Sequence, residues 1–334
     1  GKTLRKLLVV GMVLVMLLMV VSGCGETSSN TAGDESADKV KLGIIQVAEH
    51  PALDAARQGF LDTLAENGYK EGENLIVDYG NAQGDKNVLK TIAKDLVAGG
   101  CDLILAIATD SAQAVAAETT EIPILITAVT DPVAAQLVHS NEKPGTNVTG
   151  TTDMNPVADQ IALLQKLAPQ AKNIGVVYNA GEVNSVVQVD MVKEAAADLG
   201  LKVVEATVSN TSEVMQAAQS LVGRVDGIYI PTDNTVASSI ESVVKVAEEN
   251  AIPVVVGEAG MVERGALATL GIDYEKLGRQ TAEMALRILK GEKPQDMPVE
   301  SQKDMALVIN MKAAKLMKVT IPDDLKEQAA RIIE

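Results

Sequence analysis

The chain contains few aromatic residues, cysteines or histidines, and each shortage argues against a class of function. Its 334 residues include no Trp, one Phe, five Tyr, two Cys and two His. Clefts that bind sugars usually stack the sugar ring on aromatic side chains, so this composition disfavours a sugar ligand. His50 and His139 have no metal-ligand spacing and no Cys-x-x-Cys pair occurs, so we predict no metal site.

Motifs of nucleotide binding and of nucleophilic catalysis are missing as well. The sequence has no Gly-x-Ser-x-Gly elbow, no Walker A loop and no Gly-x-Gly-x-x-Gly turn after its first strand. Its formal net charge is −16 and it has no basic stripe, which argues against nucleic-acid binding. We therefore expect a protein that uses no cofactor and is not an enzyme.

The first 24 residues form a separate segment. Basic residues precede the apolar run Leu7–Val21, which is too short for a typical membrane span. The run ends in Val-Ser-Gly-Cys, and this ending resembles the lipobox of bacterial lipoproteins. The resemblance implies a signal peptide over residues 1–23, lipid on Cys24 and a polar tether over residues 24–38. The alternative is an ordinary secretory signal with a chance cysteine.

Lipidation leaves Cys101 without an intramolecular partner, and we expect Cys101 to be buried.

The rest of the chain repeats one pattern. Leu96–Ser111 (LVAGGCDLILAIATDS) and Leu221–Asn234 (LVGRVDGIYIPTDN) share a helix end, an Asp, an apolar run and a Thr-Asp pair. Each half alternates apolar strands with helices as β-α-β-α-β-α-β, which is typical of parallel sheets covered by helices on both faces. The predicted fold is therefore α/β, with two doubly wound parallel-sheet lobes joined by a hinge.

The chain is expected to cross between the lobes three times. Residues 149–155 link the two halves, residues 268–274 return to the first lobe, and the tail from Ala306 crosses back. We predict a first lobe of residues 39–150 plus about 270–300, and a second lobe of residues 151–269 plus about 301–334.

Polar loops follow the strands in both halves. Open parallel sheets bind ligands at the carboxyl ends of their strands, so we predict that these loops face a cleft between the lobes. Asp110-Ser111, Asn184-Ser185 and Asp233-Asn234 also read as helix N-caps. The candidate ligand-binding residues are Gln46, Glu49, His50, Thr109, Ser111, Thr130 and Asp131 in the first half, and Tyr178, Asn179, Glu182, Asn184, Ser185, Asp233, Asn234, Thr235, Glu258 and Asp273 in the second.

This mixture of acidic side chains and helix N-termini suits a zwitterion. Helix N-termini attract a carboxylate, and acidic side chains can bind an ammonium group. We expect the ligand carboxylate at the helix start of Asn184-Ser185, with hydrogen bonds from the hydroxyls of Thr109 and Ser111. Asp233 is the first candidate for the ammonium group, assisted by Glu258 or Asp131. The sequence thus predicts a free amino acid as the ligand.

Several segments make the chain similar to a known family. Examples are Ile44–Phe60, Ala106–Ala112 (AIATDSA), Thr127–Leu137, Pro231–Val236 (PTDNTV) and Asn310–Pro322. They resemble the substrate-binding lipoproteins of ABC importers, in the family that includes tryptophan- and tyrosine-binding proteins. The resemblance covers nearly all of the mature chain and implies a type I periplasmic-binding fold that closes on its ligand. It also implies a lipid-anchored protein outside the cell membrane, a permease and an ATPase as partners, and an aromatic amino acid as the favoured ligand.

Other functions stay open at this point. The ligand could be a branched aliphatic amino acid or another small zwitterion, and the protein could present its ligand to a sensory receptor instead of a transporter. An isomerase or racemase that uses the same cleft is less favoured, because two-domain racemases commonly carry paired cysteines and only Cys101 is available. We expect a monomer.

Overall fold

A computed structural model describes residues 39–334 of the chain. The predicted signal peptide, the tether and the lipidation site Cys24 lie outside the described residues. No helix within residues 39–334 combines the length and the apolar character needed to cross a membrane.

The strands are β1 (Val40–Gln46), β2 (Leu75–Asn81), β3 (Leu103–Ile107), β4 (Ile124–Val129), β5 (Val148–Thr152), β6 (Asn173–Asn179), β7 (Lys202–Val208), β8 (Gly227–Ile230), β9 (Val254–Val256), β10 (Ala268–Ile272), β11 (Glu300–Ser301), β12 (Met305–Asn310) and β13 (Arg331–Ile333). The helices are α1 (Pro51–Glu66), α2 (Lys86–Ala98), α3 (Thr109–Ala116), α4 (Val157–Leu167), α5 (Val183–Asp198), α6 (Val214–Ser220), α7 (Asn234–Ser238), α8 (Ile240–Asn250), α9 (Ala259–Glu263), α10 (Tyr274–Leu289), α11 (Met311–Leu316) and α12 (Asp323–Gln328).

Two sheets organise these elements, and the predicted fold class is confirmed. The first sheet has the strand order β11-β5-β4-β3-β1-β2, and all of its strand pairs are parallel. The second has the order β13-β12-β10-β9-β8-β6-β7. One pair in it departs from the predicted parallel pattern, because β12 runs antiparallel to β10, with Ile272 opposite Met305. The reason is that β12 enters the second sheet at the end where β10 leaves it.

Each sheet carries its own apolar core. Every residue of β3 (LILAI) and β4 (ILITAV) is buried, as expected for central strands that helices cover on both faces. The apolar residues of the first sheet and its helices form one cluster, and those of the second form another. Cys101 is a free cysteine buried in the first cluster, as predicted. We call the two units the first lobe and the second lobe.

Three crossovers connect the lobes. Residues 153–156 lie between β5 and α4, Asp273 lies between β10 and α10, and residues 302–304 lie between β11 and β12. After the second crossover, α10 packs against α1 of the first lobe at two glycines. A Cβ atom on Gly59 would overlap the carbonyl oxygen of Glu275, and one on Gly278 would overlap that of Ala56. The two helix backbones are therefore in direct contact, which larger residues at these positions would prevent.

Only one of the three predicted N-caps is correct. Asp233 caps α7, since its Oδ1 accepts a hydrogen bond of 2.8 Å from the amide of Val236. The other two helices begin earlier than predicted: α3 starts after Ala108, which has a φ of 82°, and α5 starts after Glu182. Ser111 and Asn184-Ser185 consequently lie inside the first turns of these helices. The Asn184 amide donates a bond to the Thr232 carbonyl and the Ser185 hydroxyl donates one to Asp233, while the Ser111 hydroxyl has no hydrogen-bond partner.

Candidate ligand-binding site

A narrow cavity lies between the two lobes at the carboxyl ends of their strands. Its volume is about 10 Å³, which is room for about one water molecule. Both lobes contribute to its wall, and so does one residue of the first crossover. The lining residues are His50, Ala52, Leu53, Ala128 and Tyr274 from the first lobe, Asn184, Thr232, Asp233, Asn234, Ala237 and Glu258 from the second, and Asp153 from the crossover.

The carboxylate of Asp233 is already surrounded by donors of its own lobe. Its Oδ2 accepts hydrogen bonds of 2.6 Å from the Asn179 amide and 2.6 Å from the Ser185 hydroxyl, and its Oδ1 accepts the cap bond from Val236. Burial raises the pKa of Asp233 well above its ordinary value, and the nearby charge of Glu182 adds to the rise. Asp233 thus joins the loop after β6 to the loop after β8.

Glu182 makes a second connection between the same loops. Its Oε1 accepts two bonds of 3.0 Å from the backbone and side-chain amides of Asn234, and its Oε2 accepts bonds of 3.2 and 3.0 Å from the amide and hydroxyl of Thr235. The carboxylate therefore binds the first turn of α7, where free amides and a positive helix end favour an anion. The wall of the second lobe is consequently preorganised.

Unpaired polar atoms concentrate in the predicted site. Within residues 39–334, seven buried side-chain nitrogen or oxygen atoms have no hydrogen-bond partner in the protein. An unpaired buried polar atom costs about 1–3 kcal/mol, so native proteins hold few of them and each calls for an explanation. Five of the seven belong to predicted ligand-binding residues: His50 Nδ1, Thr109 Oγ1, Ser111 Oγ, Asn184 Oδ1 and Glu258 Oε2. The first three are in the first lobe and the last two in the second.

The cavity wall is acidic. Its lining includes the carboxyl groups of Asp153, Asp233 and Glu258 but no Lys or Arg. The Oε1 of Glu258 accepts a bond of 2.6 Å from the Met261 amide, while its Oε2 is unpaired. Burial raises the pKa of Glu258 to about 7 and that of Asp153 to about 6. A positively charged group in the cavity would stabilise the ionised form of these carboxyls.

The lobes touch each other beside the cavity and across a wider polar cleft that adjoins it. His50 Nε2 lies 2.9 Å from Asn234 Oδ1, and Lys86 Nζ donates a bond of 3.2 Å to the carbonyl of Gly181. Burial lowers the pKa of His50, so this ring favours the neutral form. The wider cleft is lined by further predicted site residues together with Lys86 and Asp110, namely Glu49, Asn179, Glu182, Asn234 and Thr235.

Five predicted residues of the first lobe line neither the cavity nor the wider cleft, namely Gln46, Thr109, Ser111, Thr130 and Asp131. The side-chain amide of Gln46 donates bonds of 2.8 Å to the Ala48 carbonyl and 2.8 Å to Asp54. Asp131 accepts a bond of 3.0 Å from the Ala134 amide and stabilises a turn. The Gln46 and Asp131 side chains are thus bonded to nearby groups of the first lobe. The presence of a polar residue after a strand does not predict such local bonds.

Outside the first lobe, three further predicted residues, Tyr178, Ser185 and Asp273, also line neither the cavity nor the wider cleft. Tyr178 points into the second lobe, where its hydroxyl donates a bond of 2.5 Å to Glu205. Asp273 caps α10 through a bond of 3.0 Å from the Lys276 amide. In the first lobe, Thr130 is buried behind the wall and donates a bond of 3.3 Å to Asp153.

Three polar residues of the cavity wall, Asp153, Thr232 and Tyr274, were not among the predicted ligand-binding residues. Asp153 lies on the first crossover and Tyr274 is the first residue of α10, whereas the prediction at the crossovers named only Asp273. The signal that could have led to Asp153 is the polar segment TTDMN of residues 151–155, which runs into the first crossover. The apolar lining was also missed, because Ala52, Ala128 and Ala237 have no distinctive chemistry.

Comparison with known proteins shows close relatives of the chain. Residues 41–333 match the family described as ABC transporter substrate binding protein. A tyrosine-binding protein of Clostridioides difficile (strain R20291) is 44% identical over 334 residues, which cover 98% of this chain and 96% of that protein.

Two solved structures are informative because they differ in ligand state. One is an ABC domain from Streptococcus pneumonia in complex with L-Trp, which is 39% identical, covers 88% of this chain and 100% of its own, and superposes with a TM-score of 0.85. The other is a ligand-free, open substrate-binding protein with adhesive properties from Clostridium difficile, which is 51% identical with coverages of 88% and 99% and a TM-score of 0.67.

Proposed function

The chain belongs to the family of ABC transporter substrate-binding proteins, and from this we propose that it captures a free amino acid between its two lobes, with an aromatic one favoured. The observation that carries the proposal is the set of five unpaired polar atoms on predicted residues of both lobes, three of which, on His50, Asn184 and Glu258, belong to the lining of one acidic cavity. The tyrosine-binding relative and the L-Trp complex support an aromatic ligand.

Glu258 is the better partner for the ligand ammonium group than Asp233. All three hydrogen bonds of the Asp233 carboxylate come from its own lobe, whereas Glu258 Oε2 is buried in the cavity wall without a partner. Asn184 adds a second acceptor, because its amide nitrogen already donates a bond of 2.9 Å to the Thr232 carbonyl and its Oδ1 is free. Two acceptors of the second lobe thus suit an ammonium group.

The first lobe supplies the donors for the ligand carboxylate. Thr109 and Ser111 lie in the first turn of α3 with unpaired hydroxyls, and the free amides of a helix start favour an anion. Asn184-Ser185, the seat expected from the sequence, suits a carboxylate less well, because the Ser185 hydroxyl is bonded to Asp233. The two charged groups of the amino acid would therefore bind opposite lobes.

Closure of the lobes around a hinge follows from that division. A ligand that contacts both lobes stabilises the arrangement in which they meet. The TM-scores support such a movement, since the chain superposes better on the L-Trp complex than on the open, ligand-free relative, although the latter is more identical in sequence. The His50–Asn234 contact across the lobes also fits a closed arrangement.

Isothermal titration calorimetry with ligand analogues tests the proposal. L-Tyrosine or L-tryptophan is expected to bind, whereas tyramine, which lacks the carboxylate, and 3-(4-hydroxyphenyl)propionate, which lacks the ammonium group, should each bind at least about thirtyfold more weakly. That ratio corresponds to the loss of one buried charged contact, about 2 kcal/mol. Equal binding of the amino acid and both analogues, or binding of none of the twenty amino acids, would contradict a zwitterion site.

The proposed role in import places the protein outside the cytoplasm, anchored by lipid on Cys24, where it delivers the amino acid to a permease driven by an ATPase. Cys24→Ala is expected to move the protein from the membrane fraction to the soluble fraction of its host, since one apolar anchor is lost. Cys101→Ala is the matched control and should leave the fractionation unchanged, because Cys101 is buried. Membrane retention of Cys24→Ala would exclude the lipid anchor.

A further inference from the structure

Three unpaired polar atoms belong to residues that line the narrow cavity between the lobes: His50 Nδ1, Asn184 Oδ1 and Glu258 Oε2. These residues are only 6%, 3% and 2% exposed, so bulk water does not satisfy the three atoms. The bonds that the rest of each side chain makes decide whether its unpaired atom donates or accepts.

The two unpaired atoms of the second lobe are acceptors. The amide nitrogen of Asn184 donates to the Thr232 carbonyl, which leaves only its oxygen unpaired. The Oε1 of Glu258 accepts the bond from the Met261 amide, and Oε2 of the ionised group can likewise only accept.

The tautomer of His50 is fixed by a chain of bonds that starts at Glu182. The Glu182 carboxylate accepts a bond of 3.0 Å from Asn234 Nδ2, so the oxygen of the same side-chain amide is turned toward His50. An amide oxygen only accepts, and His50 Nε2, which lies 2.9 Å from it, therefore carries the ring proton. Burial lowers the pKa of His50, so the ring holds a single proton at neutral pH. His50 Nδ1 is consequently a third acceptor, contributed by the first lobe.

The cavity matches a primary ammonium group in size and in hydrogen bonding. Its volume of about 10 Å³ has room for one water-sized group, and a primary ammonium nitrogen is such a group with three N–H donors. The wider cleft that adjoins the cavity has a volume of about 580 Å³, which is enough for the rest of an aromatic amino acid. Asn234 lines both spaces, so one ligand could reach from one into the other.

We propose that His50 is the third partner of the ligand ammonium group and that the cavity accepts only a primary ammonium group. The inference rests on the proposed function, in which Glu258 and Asn184 bind the same group. The opposite charge still comes from Glu258, since the His50 ring is neutral. A methyl group on the nitrogen would remove one donor and add an atom for which the cavity has no room. Secondary amines, such as proline and N-methylated amino acids, are therefore excluded as ligands.

Calorimetry with two isomeric ligands tests this selectivity. L-Tyrosine or L-tryptophan, whichever binds more tightly, is compared with its N-methyl and α-methyl derivatives. We expect the N-methyl derivative to bind at least about thirtyfold more weakly, because it loses one hydrogen bond of a charged group and does not fit. The α-methyl derivative keeps its three N–H donors and carries its methyl group outside the cavity, so we expect a loss below about fivefold. Equal binding of the two derivatives would overturn the inference and would assign the cavity to a buried water molecule.

His50→Ala tests whether His50 Nδ1 is the third acceptor. His50 makes no side-chain cap bond to α1, so the helix keeps its start. The variant removes one acceptor from the parent amino acid and leaves space for the N-methyl group. We expect the parent ligand to bind about tenfold more weakly, and its preference over the N-methyl derivative to fall from about thirtyfold to below about fivefold. A preference that stays near its wild-type value would overturn the role of His50.

Lys86→Met is the matched control, because His50→Ala also deletes the bond to Asn234 across the lobes. Lys86 donates another bond between the lobes, to the Gly181 carbonyl, and lies outside the cavity lining. This variant should change the affinity for both ligands by the same factor and leave the preference at about thirtyfold. A preference that falls as far as in His50→Ala would attribute the effect to the contact between the lobes and would overturn the inference.

The wild-type protein alone separates the remaining outcomes. If it binds no amino acid, the proposed function itself has failed. If His50→Ala does not fold, the comparison of the N-methyl and α-methyl derivatives on the wild-type protein decides whether the cavity selects a primary ammonium group.

Discussion

Glu258→Gln is expected to weaken binding of the amino acid by about 2–5 kcal/mol, roughly thirtyfold to several thousandfold. Glutamine retains an oxygen that can accept the cap bond from the Met261 amide, so α9 keeps its start. The second carboxylate oxygen becomes an amide nitrogen, which is a donor and cannot bind an ammonium group. The substitution therefore removes only the negative charge that would bind the ammonium group of the ligand.

The same substitution is expected to raise the stability of the ligand-free protein at about pH 8. The pKa of Glu258 is about 7 in the folded chain because burial disfavours its charge, while its ordinary value is 4.5. A raised folded-state pKa favours folding below the ordinary value, and this contribution is lost as the pH rises through 7. The raised pKa therefore lowers the free energy of unfolding at pH 8 by about 3 kcal/mol. Glu258→Gln removes this penalty, so binding and stability change in opposite directions.

The pH dependence of the affinity tests whether Glu258 binds the ammonium group. Affinity of the wild-type protein should rise between about pH 5.5 and pH 8, because the ammonium group binds the ionised carboxylate and releases its proton. Calorimetry over that range should show a much flatter profile for Glu258→Gln. Asp153, whose pKa is about 6, leaves a smaller residual slope. Binding of Glu258→Gln within threefold of wild type at pH 8 would remove Glu258 from the ammonium site.

Glu263→Gln is the matched control for this experiment. Glu263 lies one helical turn from Glu258 on the same short helix, and its carboxylate forms a partly exposed ion pair of 2.6 Å with Arg331. The substitution removes the same charge from nearly the same place but outside the cavity lining. We expect affinity within twofold of wild type.

Asp233→Ala is expected to destabilise the protein by about 3 kcal/mol. The change leaves three buried donors without an acceptor: the amides of Asn179 and Val236 and the hydroxyl of Ser185. Each unpaired donor costs about 1–3 kcal/mol, and release of a buried carboxyl whose pKa is raised offsets part of the sum. Denaturant unfolding should show the midpoint falling with an unchanged slope. Binding should weaken too, because the loops after β6 and β8 lose their connection.

Asp226→Ala shows what the same deletion does at the surface. The Asp226 carboxylate also accepts bonds from backbone amides, 2.8 Å from Lys172 and 3.0 Å from Asn173, but it is exposed. Water replaces the lost acceptor there, so we expect a loss below about 1 kcal/mol. Equal losses for Asp233→Ala and Asp226→Ala would contradict the buried network.

The sequence was sufficient for the fold because the fold depends on periodicity. Apolar runs such as LILAI predict strands buried on both faces, and the repeated Leu-Val…Thr-Asp segment predicts two lobes with equivalent strand ends. The sequence also predicted Glu258, Asn184 and His50, which line the cavity, because these residues follow strands at the edge of a parallel sheet where ligands bind. A position in the sequence therefore predicts the edge on which a side chain lies.

Roles within the site could not be predicted in the same way. The bond between Asp233 and Asn179 joins residues 54 positions apart, and it decides that the Asp233 carboxylate is used within the protein. The Ser185 hydroxyl donates its hydrogen bond to the same Asp233 oxygen. Asn184-Ser185 is therefore less suited to bind the ligand carboxylate than the sequence suggested. Partners of this kind follow from the packing of two loops, and no local pattern of residues encodes them.

The contact between α1 and α10 has a consequence for how the chain folds. Arg279 on α10 donates a hydrogen bond to Thr63 on α1, 216 positions earlier, and the glycines at 59 and 278 let the two backbones meet. The first lobe therefore remains incomplete until most of the polypeptide has been made. The second lobe likewise waits for β12 and β13 near the C-terminus. Neither lobe can finish as an independent unit during synthesis, so the two are expected to acquire their native packing together and slowly, as contacts between distant residues require.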